Sequence, residues 1–123
     1  MNVTSTLKIP VFYTCTAVTL NGPPLEIAWG SLAFETYGVI CGSHLIRPSA
    51  AWISELARDV AALRPYRLAL SDLWDFGTSP HDIAAHMNED LAQRELFSVV
   101  PDDDARIKRI FDAAEIGRNS HCT

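Results

Sequence analysis

The stretch IPVFYTCTAVTL, residues 9–20, is dominated by β-branched and aromatic side chains. Such residues suit a pleated, half-buried surface, so residues 9–16 read as a buried strand. The segments after that strand set the topology. NGPP at 21–24 is a turn, because Asn and Gly tolerate positive φ and Pro fixes its own. LEIAWGSLAF (25–34) and GVICGSHLI (38–46) read as two further strands, and the TYG between them predicts a hairpin. Arg47-Pro48 closes the third strand, since Pro cannot donate to a ladder.

The hydrophobic period then changes from strand to helix. Ile53, Leu56, Val60 and Leu63 recur at helical spacing behind Ser49, a suitable N-cap, and Pro65 stops that helix. A short helix over 71–76 is closed by Gly77. Ser79-Pro80 opens another, with Asp82 complementing the positive helix end and Ile83, Met87 and Leu91 as its apolar stripe, running to about Gln93. ELFSVV (95–100) is a short strand. DDDARIKRIFDAAEIG (102–117) is a last helix, with acids at its start, Ile107, Ile110, Phe111 and Ala114 turned inward, and Gly117 as its end. A meander followed by a crossover through helices to another strand predicts an α/β fold, a mixed sheet with helices packed on it.

Composition sets limits on function. The 123 residues fit one domain over 1–123, with a core of about 9–117 and a flexible tail at 118–123. Apolar residues make up 48% and charged residues 20%, a globular balance, and no apolar run is long enough to span a bilayer. MNVTSTLKIP lacks the features of a secretory leader, and Cys15, Cys41 and Cys122 are an odd number without a disulfide pattern. A reducing cytoplasm is the expected compartment. The net charge of −5 leans against strong general nucleic-acid binding. Arg106, Lys108, Arg109 and Arg118 cluster late in the chain and read as a solvated helix face.

The order of these elements, together with particular words in them, resembles the DEDD-type 3′-5′ exonucleases. The words are Phe12-Tyr13-Thr14-Cys15-Thr16 followed by Leu20, Leu25-Glu26-Ile27-Ala28-Trp29, His44-Leu45-Ile46-Arg47-Pro48, and Arg94-Glu95-Leu96-Phe97-Ser98 leading to Pro101 and Asp104. The resemblance covers about residues 10–116. It implies a ribonuclease-H-like mixed sheet, a three-strand antiparallel meander plus a parallel strand, with packed helices. It also implies a site of carboxylates holding two divalent ions that activate water for phosphodiester cleavage.

The departures from that pattern carry the functional reading. The two first-strand carboxylates of the family fall on Thr14 and Thr16, whose neutral hydroxyls compete poorly with water for a hard ion such as magnesium. Asp104 matches the acid of the second motif, and Glu26 matches a family Glu near the active-site side, although a structural ion pair explains it equally well. A His-Gly pair common in the family falls near Arg64-Pro65. The last motif, a His followed by an Asp, finds no counterpart, because His121 has no acid after it. The resemblance thus implies a degenerate, C-terminally truncated member with a vestigial site of Thr14, Thr16, Glu26 and Asp104, no cofactor and no metal ligand set.

The expected function is a catalytically inactive binding or regulatory module, acting on a protein partner, a homodimer or a nucleic-acid-processing complex. Two alternatives stay open: an exonuclease using magnesium at Asp104 and Glu26 with an acid from a second subunit, and a weak single-strand nucleic-acid binder. The chain after the second motif is too short to cover the strand at 96–100, which is expected to leave an open edge and favour self-association. Other groups read blandly. Asp102, Asp103 and Asp104 suit a helix start. Cys41-x-x-His44 has zinc-like spacing without a second pair, His81 and His86 read as surface histidines, and Cys15 has no His-plus-acid partner. No glycine-rich phosphate loop is present, and Trp29, Trp52 and Trp74 fit core or interface roles.

Overall fold

Burial alternates strictly along the strand Val11–Ala17 (β1): Val11, Tyr13, Cys15 and Ala17 are buried, while Phe12 and Thr14 are exposed and Thr16 is half-buried. Successive side chains of a strand point to opposite faces, so β1 has one face against a core and one face open. The computed structural model describes residues 10–19, 22–33, 38–58, 60–91, 95–98, 100–115, 117 and 121–122.

β1 pairs antiparallel with β2 (Pro24–Ala33), which pairs antiparallel with β3 (Gly38–Leu45). This is the expected meander; the expected TYG hairpin turn lies largely outside the described residues. On its other side β1 pairs in parallel with β4 (Glu95–Phe97), and β4 pairs in parallel with β5 (His121–Cys122). The sheet order is β3-β2-β1-β4-β5. The chain is therefore an α/β mixed sheet of the predicted kind, with one strand more than the sequence reading expected. Residues 121–122, taken as tail, form that strand. Of the edge foreseen at 96–100 for self-association, Leu96 is covered, because β5 pairs with Glu95 and Leu96 on the side of β4 away from β1.

Helix α1 (Ala50–Ala57) starts where Ser49 accepts a bond from the Trp52 N–H, and it buries Trp52 and Leu56. The predicted longer helix does not form. Val60 is exposed, and Val60–Tyr66 is a separate 3-10 helix that contains Pro65 instead of ending before it. Only Leu63 of that segment is buried. Helix α2 (Leu70–Phe76) has its first N–H, at Ala69, held by Asp72, and Gly77 closes it as expected. A Cβ at Gly77 would strike the Leu73 carbonyl and the Arg47 backbone, so close approach explains the glycine. Helix α3 (Pro80–Leu91) begins with the Asp82 N–H donating to Ser79 and buries Ile83, Ala84, Met87 and Leu91.

Helix α4 (Asp103–Ala114) buries the four predicted residues Ile107, Ile110, Phe111 and Ala114. It ends at Glu115, whose φ of 57° is left-handed, and not at Gly117. The main core joins the inner sides of β1, β2 and β4 to α1, α3 and α4. A second cluster, Leu25, Leu56, Leu63 and Leu73, fastens the 3-10 helix and α2 to one end of the sheet. Among the described residues no helix is long and apolar enough to cross a membrane.

Candidate functional site

The outer face of the sheet carries most of the residues singled out by sequence. Thr14 stands opposite Ala28 and Thr16 opposite Glu26, so three of the four residues matched by sequence share this face. Phe12 and Phe97 pair across β1 and β4 with ring centroids 6.3 Å apart, and Phe12 is 64% exposed. Phe12, Tyr13, Thr14, Ala28, Trp29 and Gly30 line a shallow depression there. The exposed Glu26 lies on the same face of the sheet, opposite Thr16.

The acids at the start of α4 behave differently from one another. Asp104, the residue matched to the second motif, is exposed, whereas Asp103 is 1% exposed. Ser98 donates a short hydrogen bond to Asp103 Oδ2, and Arg106 Nη1 sits 3.2 Å from Oδ1. The same Nη1 donates to the Cys15 carbonyl at 3.1 Å. Asp103 is thus charge-paired in a buried polar knot that ties the residue after β4 to α4 and β1, and Arg106 Nε is buried there without a hydrogen-bond partner among the described residues. Burial, and then the Asp103 charge, push the Cys15 thiol up to about 12, against the smaller opposing effect of Arg106.

Arg106 is therefore not part of a solvated face. Nor is Arg109, which pairs with Glu55 at 3.0 Å and lies over the Trp52 ring. Lys108 pairs with Asp112 along the helix surface, and Arg118 lies outside the described residues. The zinc-like Cys41-x-x-His44 spacing fails on strand geometry. Residues three apart on a strand point to opposite faces, and Cys41 is exposed while His44 turns to α3.

A divalent pair of the kind the resemblance implies does not fit these residues. Of the four matched residues Thr14 and Thr16 supply no anionic oxygen, which leaves two carboxylates, the exposed Glu26 and Asp104, while the neighbouring Asp103 is committed to Ser98 and Arg106. Among the described residues no three His, Cys, Asp or Glu side chains form a group that could hold a metal ion.

His86, read from sequence as a surface histidine, is half-buried and hydrogen-bonded to His44 at 2.9 Å. Asp90 lies 3.1 Å from the far nitrogen of His86 and accepts from the Trp29 indole N–H at 3.3 Å. No sequence signal could have joined His44 to His86, since β3 and α3 meet only in the folded chain.

No protein-family model matches the chain, and no curated protein matches it either. Solved structures do. Exonuclease I of E. coli in complex with a dA16 oligonucleotide is similar with a TM-score of 0.65 and 12% identity, over 95% of this chain and 27% of that one. Exonuclease I from Methylocaldum szegediense gives 0.62 and 12%, again over 95% and 27%. Exonuclease X in complex with 5′ overhanging duplex DNA gives 0.53 and 17%, over 80% and 52%. The chain thus spans from about a quarter to a half of the lengths of these proteins, and what it shares with them at this identity is an exonuclease-like fold.

Proposed function

We propose that this domain is a non-catalytic exonuclease-like module that works by binding a protein partner on the outer face of its sheet. The observation that carries this reading is the identity of β1's outward residues. By the sequence resemblance Thr14 and Thr16 take the places of two metal-holding carboxylates, and hydroxyls neither balance nor position two divalent ions. The exposed Phe12, set on a floor of small residues, supplies instead the aromatic anchor that protein interfaces favour. A second copy of the chain counts among such partners.

One observation favours a second reading. The Phe12–Phe97 pair on an open sheet offers a stacking platform for single-stranded bases, and the similar Exonuclease I structure holds an oligonucleotide. Against it stand the net charge of −5 and Glu26 on the same face. The test uses labelled single- and double-stranded DNA and RNA with magnesium or manganese. No cleavage is expected, and cleavage abolished by Asp104→Asn would overturn the proposal. Oligonucleotide affinity that falls steeply with salt and is lost in Phe12→Ala would select the second reading.

A further inference from the structure

We propose that His44 and His86 form one shared proton site, a latch that keeps the His86 side of α3 closed on β3 while the pair carries at most one added proton and opens that contact when both rings are charged, the apolar stripe of α3 staying in the core. The hydrogen bonds dictate the tautomers. Asp90 is acceptor-only when ionised, so the His86 nitrogen facing it, Nε2, carries a hydrogen. In neutral His86 the other nitrogen, Nδ1, is then bare and accepts from His44 Nε2 at 2.9 Å. His44 Nδ1 is bare in turn and accepts from the Thr78 hydroxyl at 3.2 Å. The chain Thr78–His44–His86–Asp90 is complete with both rings neutral.

A first added proton costs none of these contacts. Placed on His44 Nδ1, it points at Thr78 Oγ1, and the hydroxyl rotates from donor to acceptor. A second proton has only His86 Nδ1 left, and there two N–H groups would face each other across 2.9 Å. The contact must open. What opens is specific: His44 belongs to β3, His86 and Asp90 to α3, and the Trp29 ring of β2 packs against both imidazoles at 5.6 and 5.1 Å.

The surroundings concentrate the effect on this pair. From α3 the ionisable groups facing His44 are His86 and Asp90. β2 contributes the uncharged Trp29, and the segment after α2 contributes the uncharged Thr78. Neighbouring charges turn elsewhere: Arg47 lies over Trp74, and His81 pairs with Asp82 at the start of α3. Burial first, and then His86, lower the His44 pKa, while Asp90 opposes them.

Nitrogen-15 spectra of the histidine rings in the wild-type protein, followed from about pH 8 to about pH 4, test the latch together with amide exchange across the same range. The expected result is that both rings start as Nε2–H tautomers and respond together to the first proton. The second uptake should coincide with roughly tenfold faster exchange in α3, while α4 keeps its protection. In His86→Gln, which alters a half-exposed ring, His44 should take its proton at higher pH and the acid-induced rise in α3 exchange should vanish. Two independent midpoints, each indifferent to substitution of the other histidine, would overturn the proposal. So would double protonation without faster exchange in α3.

Discussion

The Trp29 indole lies over Gly42, its partner on the adjacent strand, so closely that a Cβ on Gly42 would collide with the ring. Trp29 is 3% exposed and anchors β2 and β3 to α3 through Asp90. Gly42→Ala should therefore destabilise the fold by about 1–3 kcal/mol, the usual cost of overpacking. A urea midpoint unchanged from wild type would show that the indole can move aside.

Asp103 and Asp104 are adjacent in sequence and opposite in consequence. Asp103→Ala leaves the Arg106 guanidinium largely buried with no carboxylate, and should cost about 3 kcal/mol or more. Asp104→Ala alters an exposed acid in the first turn of α4, and should cost about 1 kcal/mol or less. Denaturant melts of the two variants side by side give the comparison.

Cys15 should resist thiol reagents in the native protein at mildly alkaline pH, since its pKa of about 12 leaves almost no thiolate. Cys41 is exposed and should react. Peptide mapping after brief alkylation reads both sites. Rapid labelling of Cys15 without denaturant would mean that the β1–α4 knot opens readily.

His44 makes stability depend on pH with a definite sign. Its folded-state pKa is lowered, so the unfolded chain takes up the proton first as the solution is acidified. The contribution is fully present above about pH 6.5, the ordinary histidine value. It is lost as pH falls from there towards the folded pKa, and the decline ends once the folded protein is protonated too. Urea midpoints measured across this window should fall with acid in the wild type and fall less in His44→Gln.

Thr14→Asp combined with Thr16→Glu should not create a robust nuclease. Thr16 faces Glu26 directly, so the new acids crowd an existing one on the outer face. The expected result is a loss of about 1 kcal/mol from cross-strand repulsion, with no metal-dependent turnover above a mock preparation. Turnover would show that a partial carboxylate set is sufficient on this sheet.

The elements whose side chains repeat were legible in the sequence. The inward stripes of α3 and α4, the Ser49 and Ser79 caps and the meander all follow from local pattern. Val60 misled because its spacing continued the α1 stripe, yet the chain changes to a 3-10 helix there and leaves it exposed. Of the matched site residues, Thr14, Thr16 and Glu26 were foreseeable as neighbours, because strand pairing fixes which residues face each other. Asp103 was not, since only the fold shows that Arg106 and Ser98 converge on it. The His44–His86 bond was invisible for the same reason.

β1 must find both an early neighbour and a late one: Cys15 pairs with Ile27 almost at once along the chain, while Val11 waits for Leu96. Contacts between residues far apart in sequence pay their loop-closure entropy before any reward, which slows their formation. The meander can thus assemble soon after synthesis of its three strands, exposing the inner sides of Tyr13, Cys15, Ile27 and Trp29 until α3, β4 and α4 arrive. Apolar surface left open in that interval is of the kind that aggregates and that chaperones bind.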